Sequence, residues 1–240
     1  LLEMELHGPV TDRQRDALGR VGRAQRHLLS LINDVLNYAK LEAGKVEYDV
    51  RETVVADVIG AVVPLIEPQL VARGLTLAVS LPEGPDRNEG VVRVWADRDK
   101  LGQVLLNLLS NAVKFTPRTR PDGTPGRIHV ALTGRADAPD VAYLRVTDTG
   151  IGIPDDKQAA IFEPFVQVST GLTRATEGTG LGLAISRDLA RGMGGDLRVR
   201  SRAGEGATFT ITLRRVMDLA GRPTDRRAAS ERRDPWERAG

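Results

Sequence analysis

An unbroken heptad near the start of the chain limits the fold more than any other feature. No proline occurs between Thr11 and Ala43. Within this stretch a seam recurs at alternating steps of three and four residues, at Leu18, Val21, Gln25, Leu28, Ile32, Val35 and Ala39. The seam predicts a helix ~45–50 Å long that Thr11 opens. Leu29 and Leu36 widen its apolar face, which favours a four-helix bundle.

We expect the seam to pack against a second chain. Residues 1–6 read as the end of a preceding helix, which Gly8 and Pro9 close. So short a piece cannot cover the seam, although a helical hairpin within one chain is the alternative. The sequence therefore predicts a homodimer through bundle helices, with residues 1–44 forming the C-terminal part of that bundle.

From residue 45 the pattern changes to strands that alternate with helices. Strands are predicted at 46–50, 75–81, 91–95, 128–133, 141–146, 197–200 and 207–213, and helices at 54–71, 97–115 and 181–193. Pro64 and Pro68 are expected to disturb the first of these helices. Residues 45–215 are thus predicted to form an α/β sandwich with a mixed sheet. Residues 216–240, rich in Arg, Asp and Pro, are predicted to be a disordered tail or linker.

Composition and charge exclude several classes of function. The 34 Lys and Arg residues against 32 Asp and Glu leave a formal charge of +2, so nucleic acid is not an expected partner. The absence of cysteine excludes disulfides, thiolate zinc sites and a cysteine nucleophile. No apolar run approaches ~18 residues. We therefore expect a cytoplasmic chain without direct membrane contact.

A polar stripe marks the helix predicted at 97–115. Asn107, Asn111 and Lys114 follow one another at i, i+4 and i+7, opposite the apolar face of Leu101, Leu105, Leu108, Leu109 and Ala112. A solvated face is the alternative explanation. Asparagine is however a poor helix former for such a face. Carboxamide oxygens and an ammonium group suit Mg²⁺ and phosphate oxygens.

Three glycine-rich segments follow the predicted strands. Asp148 ends a strand and begins the pattern D-x-G-x-G, residues 148–152, where a carboxylate can accept a hydrogen bond from an exocyclic amine. Glycines alternate at 178–182 just before a helix, whose free N–H groups can bind phosphate. The third segment, 204–209, predicts a hairpin turn. Each alone could be an ordinary turn, and neither a Rossmann nor a P-loop pattern occurs.

In this order the motifs closely resemble the ATP-binding catalytic domain of bacterial sensor histidine kinases, of the GHKL or Bergerat type. The matching boxes are the N box at 107–115, G1 at 148–152, the F box at 162–165, G2 at 178–182 and G3 at 204–208. The first helix, at 28–36 and 40–45, resembles the second helix of that family's dimerisation and phosphotransfer domain. The resemblance implies transfer of the γ-phosphoryl group of Mg-ATP to a histidine, for relay to a response regulator.

The resemblance also implies roles for single residues. Asp148 would bind the adenine amino group, Asn111 the Mg²⁺ ion, and Asn107 and Lys114, as catalytic residues, the triphosphate. The adenine pocket would be shaped by Gly150 and Gly152, with Thr208 on the far side of the base. The phosphate side of a lid over 166–180 would be formed by Gly178, Thr179, Gly180, Leu181 and Gly182. Phe162 and Phe165 would anchor this lid, or belong to the core.

One motif of the family is missing. A phosphoacceptor histidine followed by an acid and a proline does not occur, because none of His7, His27 and His129 is followed by an acid. We therefore expect the chain to start just after the acceptor. Gyrase-like relatives carry a glutamate as general base at the position of Asn107, so fast ATP hydrolysis is disfavoured. The alternative functions are a non-catalytic, nucleotide-gated dimer and a serine kinase of the anti-sigma type.

Overall fold

The computed structural model describes residues 8–82, 91–135, 138–167 and 179–217. Its helices are α1 (Asp12–Glu42), α2 (Val55–Arg73), α3 (Arg98–Phe115) and α4 (Gly182–Gly192). Its strands are β1 (Arg51–Val54), β2 (Thr76–Ser80), β3 (Arg93–Ala96), β4 (Arg127–Arg135), β5 (Ala138–Asp148), β6 (Asp196–Arg202) and β7 (Gly206–Arg214). The predicted order of helices and strands is confirmed, apart from the first strand. The end of a helix predicted at 1–6 lies outside the described residues.

Helix α1 begins where the sequence predicts. The Thr11 side chain accepts a hydrogen bond from the Gln14 backbone N–H, and the Gln14 side chain accepts one from the Thr11 backbone N–H. This capping box satisfies two donors that a helix start would otherwise leave free. In the single chain the apolar seam lies largely exposed, with Leu28 at 57% and Ile32 at 48% of their full exposure. The seam is therefore available to a partner helix.

Two layers form the rest of the molecule. Among the described residues the main sheet has five strands in the order β2-β4-β5-β7-β6, with β2 parallel to β4 and every other neighbour antiparallel. Strands β1 and β3 form a separate antiparallel pair. Helices α2, α3 and α4 cover one face of the main sheet. The predicted α/β sandwich with a mixed sheet is confirmed.

The core lies between the sheet and these helices. Alternate residues of β5 point inward and are buried at Ala142, Leu144, Val146 and Asp148. Leucines of α3 pack onto them from above, and Leu105 and Leu109 have no exposed surface. Because a strand has a period of two, the inward set ends on the polar Asp148 at the edge of the core. The fold thereby places the Asp148 carboxylate at the edge of the apolar core.

Helix α2 continues through both prolines, contrary to the expected disturbance. Pro64 and Pro68 are exposed and one turn apart, so they share the face that points away from the core. The opposite face buries Val62, Ile66 and Leu70. Burial of these side chains offsets the backbone hydrogen bonds that the prolines remove. By length and composition α2 could also span a membrane, but its buried residues belong to the core.

Two boundaries differ from the predictions. Residues 46–50 form no strand, because contacts with side chains hold them in place and not hydrogen bonds to a neighbouring strand. The Asp49 N–H donates to Asp97 Oδ2 at 3.0 Å, and the Tyr48 ring packs against Gly192. The predicted disorder from 216 onward is wrong for Val216, which is buried and whose N–H donates to the Arg93 carbonyl. Residues 218–240 lie outside the described part.

Candidate functional site

The first residue of the polar stripe on α3 contacts α4. Asn107 Nδ2 donates a hydrogen bond to Ser186 Oγ of α4 at 2.8 Å. Asn107, Asn111 and Lys114 are all half-buried. An added Cβ atom at Gly182 would lie 2.6 Å from Asn107 Oδ1. Glycine at this position therefore allows the start of α4 to approach the stripe closely.

The start of α4 presents free backbone donors. Its N-cap residue, Leu181, is fully buried and anchors the turn in the core. Within the described residues no side chain caps the helix. The Leu181 N–H donates to Thr179 Oγ1 at 3.2 Å. Uncapped N–H groups and the positive end of the helix dipole together suit an anion such as phosphate.

Asp148 stands at the other end of the site, on the last residue of β5. Its side chain is buried, with 7% of its surface exposed, and Oδ1 accepts the Gly150 N–H at 2.8 Å. Burial raises the pKa of Asp148, and hydrogen bonds from the Gly150 and Ala207 backbones oppose that rise only in part. An acceptor with spare lone pairs in such a setting suits the amino group of a flat heterocycle.

The loop after Asp148 is tied to two other elements. The Ile151 N–H donates to the Phe115 carbonyl at the end of α3, and the Ile151 carbonyl accepts the Gly204 N–H from the β6–β7 hairpin. At Gly150 an added Cβ atom would lie 2.7 Å from both Asp148 Oδ1 and the Phe115 carbonyl. Gly152 packs even more closely against the Arg202 backbone. These glycines hold the loop beside the stripe of α3.

Thr208 lies elsewhere, so its predicted contact with a base is not supported by the structure. It pairs with Thr147 across β5 and β7, and the two hydroxyl groups are 3.1 Å apart. Asp148 pairs instead with Ala207. Because neighbouring residues of a strand point to opposite faces, Thr208 lies on the face of the sheet away from the helices. The hairpin residue next to Asp148 is Ala207.

The two phenylalanines of the predicted F box differ from each other. Phe162 is half-buried against the core, and the Arg187 guanidinium lies 4.8 Å from its ring centre. Phe165 is 62% exposed and has a positive φ of 65°. Its ring meets the Tyr38 ring of α1 edge-on, with centroids 6.0 Å apart. Phe162 therefore fits the core alternative, whereas Phe165 reaches the first helix.

Helix α1 contributes residues to the site that the sequence analysis did not find. Thr179 Oγ1 donates to Asp34 Oδ2 at 2.9 Å, and Tyr38 is the partner of Phe165. Asp34 and Tyr38 stand four residues apart, on one face of α1 and beside its seam. The sequence spacing shows that these two side chains share a face of the helix. Only the tertiary packing shows which other element that face contacts. Gly180 lies in the same turn, packed on the backbone of Phe165; Gly178 and most of the predicted lid lie outside the described residues.

Comparison with known proteins identifies the family that this chain matches. Residues 96–217 match the family described as histidine kinase-, DNA gyrase B-, and HSP90-like ATPase. The chain is 38% identical over 211 residues to the non-motile and phage-resistance protein of Caulobacter vibrioides, covering 87% of this chain and 24% of that protein. It is 37% identical to the circadian input-output histidine kinase CikA of Synechococcus elongatus, covering 85% and 25%.

A solved structure is similar over most of the chain. The full-length ShkA in complex with AMPPNP superimposes with a TM-score of 0.69 at 30% identity, over 89% of this chain and 42% of ShkA. The chain spans about a quarter of the length of the two curated relatives. Part of the first helix lies within the ShkA match, because coverage of 89% of 240 residues leaves about 26 outside it, fewer than the 42 up to the end of α1.

Proposed function

Because this chain belongs to the histidine kinase-, DNA gyrase B- and HSP90-like ATPase family, we propose that it is the ATP-binding catalytic portion of a sensor histidine kinase. It would bind Mg-ATP and transfer the γ-phosphoryl group to a histidine on a bundle helix. One observation carries this proposal. A buried carboxylate, Asp148, and an uncapped helix start at Leu181 lie at opposite ends of one polar stripe on α3.

Each end of the site would hold one part of the nucleotide. Asp148 would accept a hydrogen bond from the exocyclic amine of adenine, while the loop 150–152 would line the base. The phosphates would lie along Asn107 and Lys114 and end at the N–H groups of α4. Thr208 has no part in this proposal.

The residues present fit a hydrated Mg²⁺ ion. Asn111 is half-buried and stands one turn after Asn107 on the stripe. A single carboxamide ligand leaves most coordination positions to phosphate oxygens and water, as Mg²⁺ commonly has them. When bound, the ion would neutralise charge on the phosphate oxygens. Lys114 and the α4 dipole would add positive charge along the phosphates.

The geometry favours transfer to an imidazole over hydrolysis. Asn107 occupies the position one turn before the proposed metal ligand, and its carboxamide cannot take a proton from water. An imidazole is already partly neutral near pH 7 and needs little activation. We therefore expect hydrolysis to be slow and the acceptor histidine to come from a bundle helix. As part of the same proposal, the chain forms a homodimer in the cytoplasm, and the phosphoryl group is relayed to a response regulator.

A chimera tests the transfer step. The residues before Thr11 are replaced by the helix that carries the acceptor histidine in a related histidine kinase, and the protein is incubated with radiolabelled ATP. We expect acid-labile, base-stable phosphate on the chimera and none on the unmodified chain. Phosphohistidine mapped to His27 by mass spectrometry would contradict the proposal. Acid-stable phosphate on serine would favour the serine-kinase alternative.

A further inference from the structure

A carboxylate of α1 lies next to the proposed phosphate end of the site. Thr179 Oγ1 donates to Asp34 Oδ2 at 2.9 Å, and the same oxygen accepts the Leu181 N–H at 3.2 Å. A hydroxyl group can donate once while it accepts. The two bonds therefore form a short chain from the α4 backbone to Asp34. Only one threonine side chain separates this carboxylate from the start of α4.

A second contact fixes the same part of α1. Tyr38, one turn after Asp34, meets the Phe165 ring edge-on. Leu41, a further turn along, packs against the core beside α4. Three successive turns of α1 thus touch the catalytic part, so Asp34 is held at this place by more than its own hydrogen bond. Asp34 itself is half-buried, and screening by solvent is correspondingly reduced.

We propose that Asp34 lowers the affinity of the site for nucleotide phosphates by charge repulsion, and so discriminates between nucleotides by their charge. This inference rests on the proposed function. A carboxylate and a phosphate at the same helix start are both attracted by the positive end of one helix dipole, so each weakens the binding of the other. Like charges a few ångströms apart repel, and the repulsion grows with the charge of the ligand. ATP is therefore opposed more strongly than ADP, and uncharged adenosine is not opposed at all.

The substitution Asp34→Asn removes the charge and keeps the shape. An asparagine carbonyl oxygen can still accept the Thr179 hydroxyl hydrogen bond, so the position of α1 is retained. Asp16→Asn is the matched control, because Asp16 is exposed on the same helix and lies about 27 Å from Asp34 along its axis. Dissociation constants for ATP, ADP and adenosine are measured with each protein by calorimetry, at low and high salt, with and without Mg²⁺.

We expect Asp34→Asn to tighten ATP binding about three- to tenfold at low salt. The gain should be smaller for ADP, absent for adenosine and reduced by salt. Asp16→Asn should leave all three constants unchanged.

Other results would overturn the inference. An equal gain for adenosine would show that Asp34 acts by packing and not by charge. Weaker ATP binding that depends on Mg²⁺ would make Asp34 a metal ligand, and unchanged ATP binding would remove any role for its charge. If the unmodified chain binds neither ATP nor adenosine, the proposed function fails, and that outcome is distinct from all of these.

Discussion

Asp148 shows how one residue becomes suited to its role through the strand that carries it. The alternation of β5 takes its side chain into the core, and Gly150 after it donates its backbone N–H to Oδ1. The sequence identified this carboxylate from its motif alone. The sequence also held the signal that Thr208 points to the other face, because Ala207, Phe209 and Ile211 alternate with threonines along β7. Asp34, by contrast, was hidden, since its partner is 145 residues away.

We predict that Asp148→Asn weakens adenosine binding by about 1.5–3 kcal/mol, because the amide replaces a charge-assisted acceptor with a neutral one. Adenosine is the appropriate ligand because it carries no phosphate. Calorimetric titration measures the change. Asp140→Asn, an exposed aspartate on the same strand, is the control and should bind as the unmodified chain does. Equal affinities for both variants would show that the base lies elsewhere.

The raised pKa of Asp148 predicts a pH dependence. Burial favours the neutral acid, so Asp148 takes up its proton at a higher pH than an ordinary aspartate does. The protonated carboxyl group is a weaker acceptor for the adenine amine. Adenosine affinity should therefore be constant at neutral pH and fall as the pH drops through the raised pKa. With Asp148→Asn this fall should disappear; a fall that persists in the variant would assign it to another group.

Among the helices and strands, α2 is a case in which burial of apolar side chains outweighs the helix-breaking effect of proline. Its prolines predicted a disturbed helix, yet the helix runs to Arg73 because both prolines face away from the buried Val62, Ile66 and Leu70. At residues 46–50 an alternating pattern predicted a strand that does not form. The Asp49 backbone N–H donates to the Asp97 side chain there and not to a neighbouring strand. The remaining helices and strands follow their patterns within a few residues, because capping, turns and apolar period agree there.

We predict that Pro64→Ala stabilises the protein by about 1–2 kcal/mol. Alanine restores a helical N–H, and that gain exceeds the loss of chain stiffness in the unfolded state. Chemical denaturation measures the change. The control is Pro121→Ala, because Pro121 occupies a turn that the Gly123 N–H closes onto the Arg120 carbonyl. Proline suits that turn position, so this variant should lose up to about 1 kcal/mol. Stabilisation of both variants, or of neither, would contradict this account of α2.

At the scale of the whole molecule, α1 has two faces with different surroundings. One face carries Asp34 and Tyr38 to the proposed nucleotide site, and the other exposes the seam of Leu28 and Ile32. The sequence predicted the seam from its heptad. It did not predict the first face, because a polar stripe gives no indication of what it touches. A partner on the seam would therefore hold the same helix that contacts the catalytic site.

We predict that the chain self-associates through the seam at micromolar concentration. Ile32→Glu places a charge within that apolar face and should shift the mass measured by light scattering toward the monomer. Val71→Glu, on the exposed face of α2, is the control and should leave the mass unchanged, because Val71 is 80% exposed and lies outside the seam. Dissociation by Val71→Glu alone would place the interface on α2.

Binding of Mg-ATP to the unmodified chain is the most direct measurement of the central claim. Calorimetric titration should give saturable binding of one nucleotide per chain, accompanied by a higher unfolding temperature, because a ligand that binds only the folded state stabilises it. Absence of both heat and thermal shift at millimolar Mg-ATP would contradict the assignment of the site between Asp148, the α3 stripe and the start of α4.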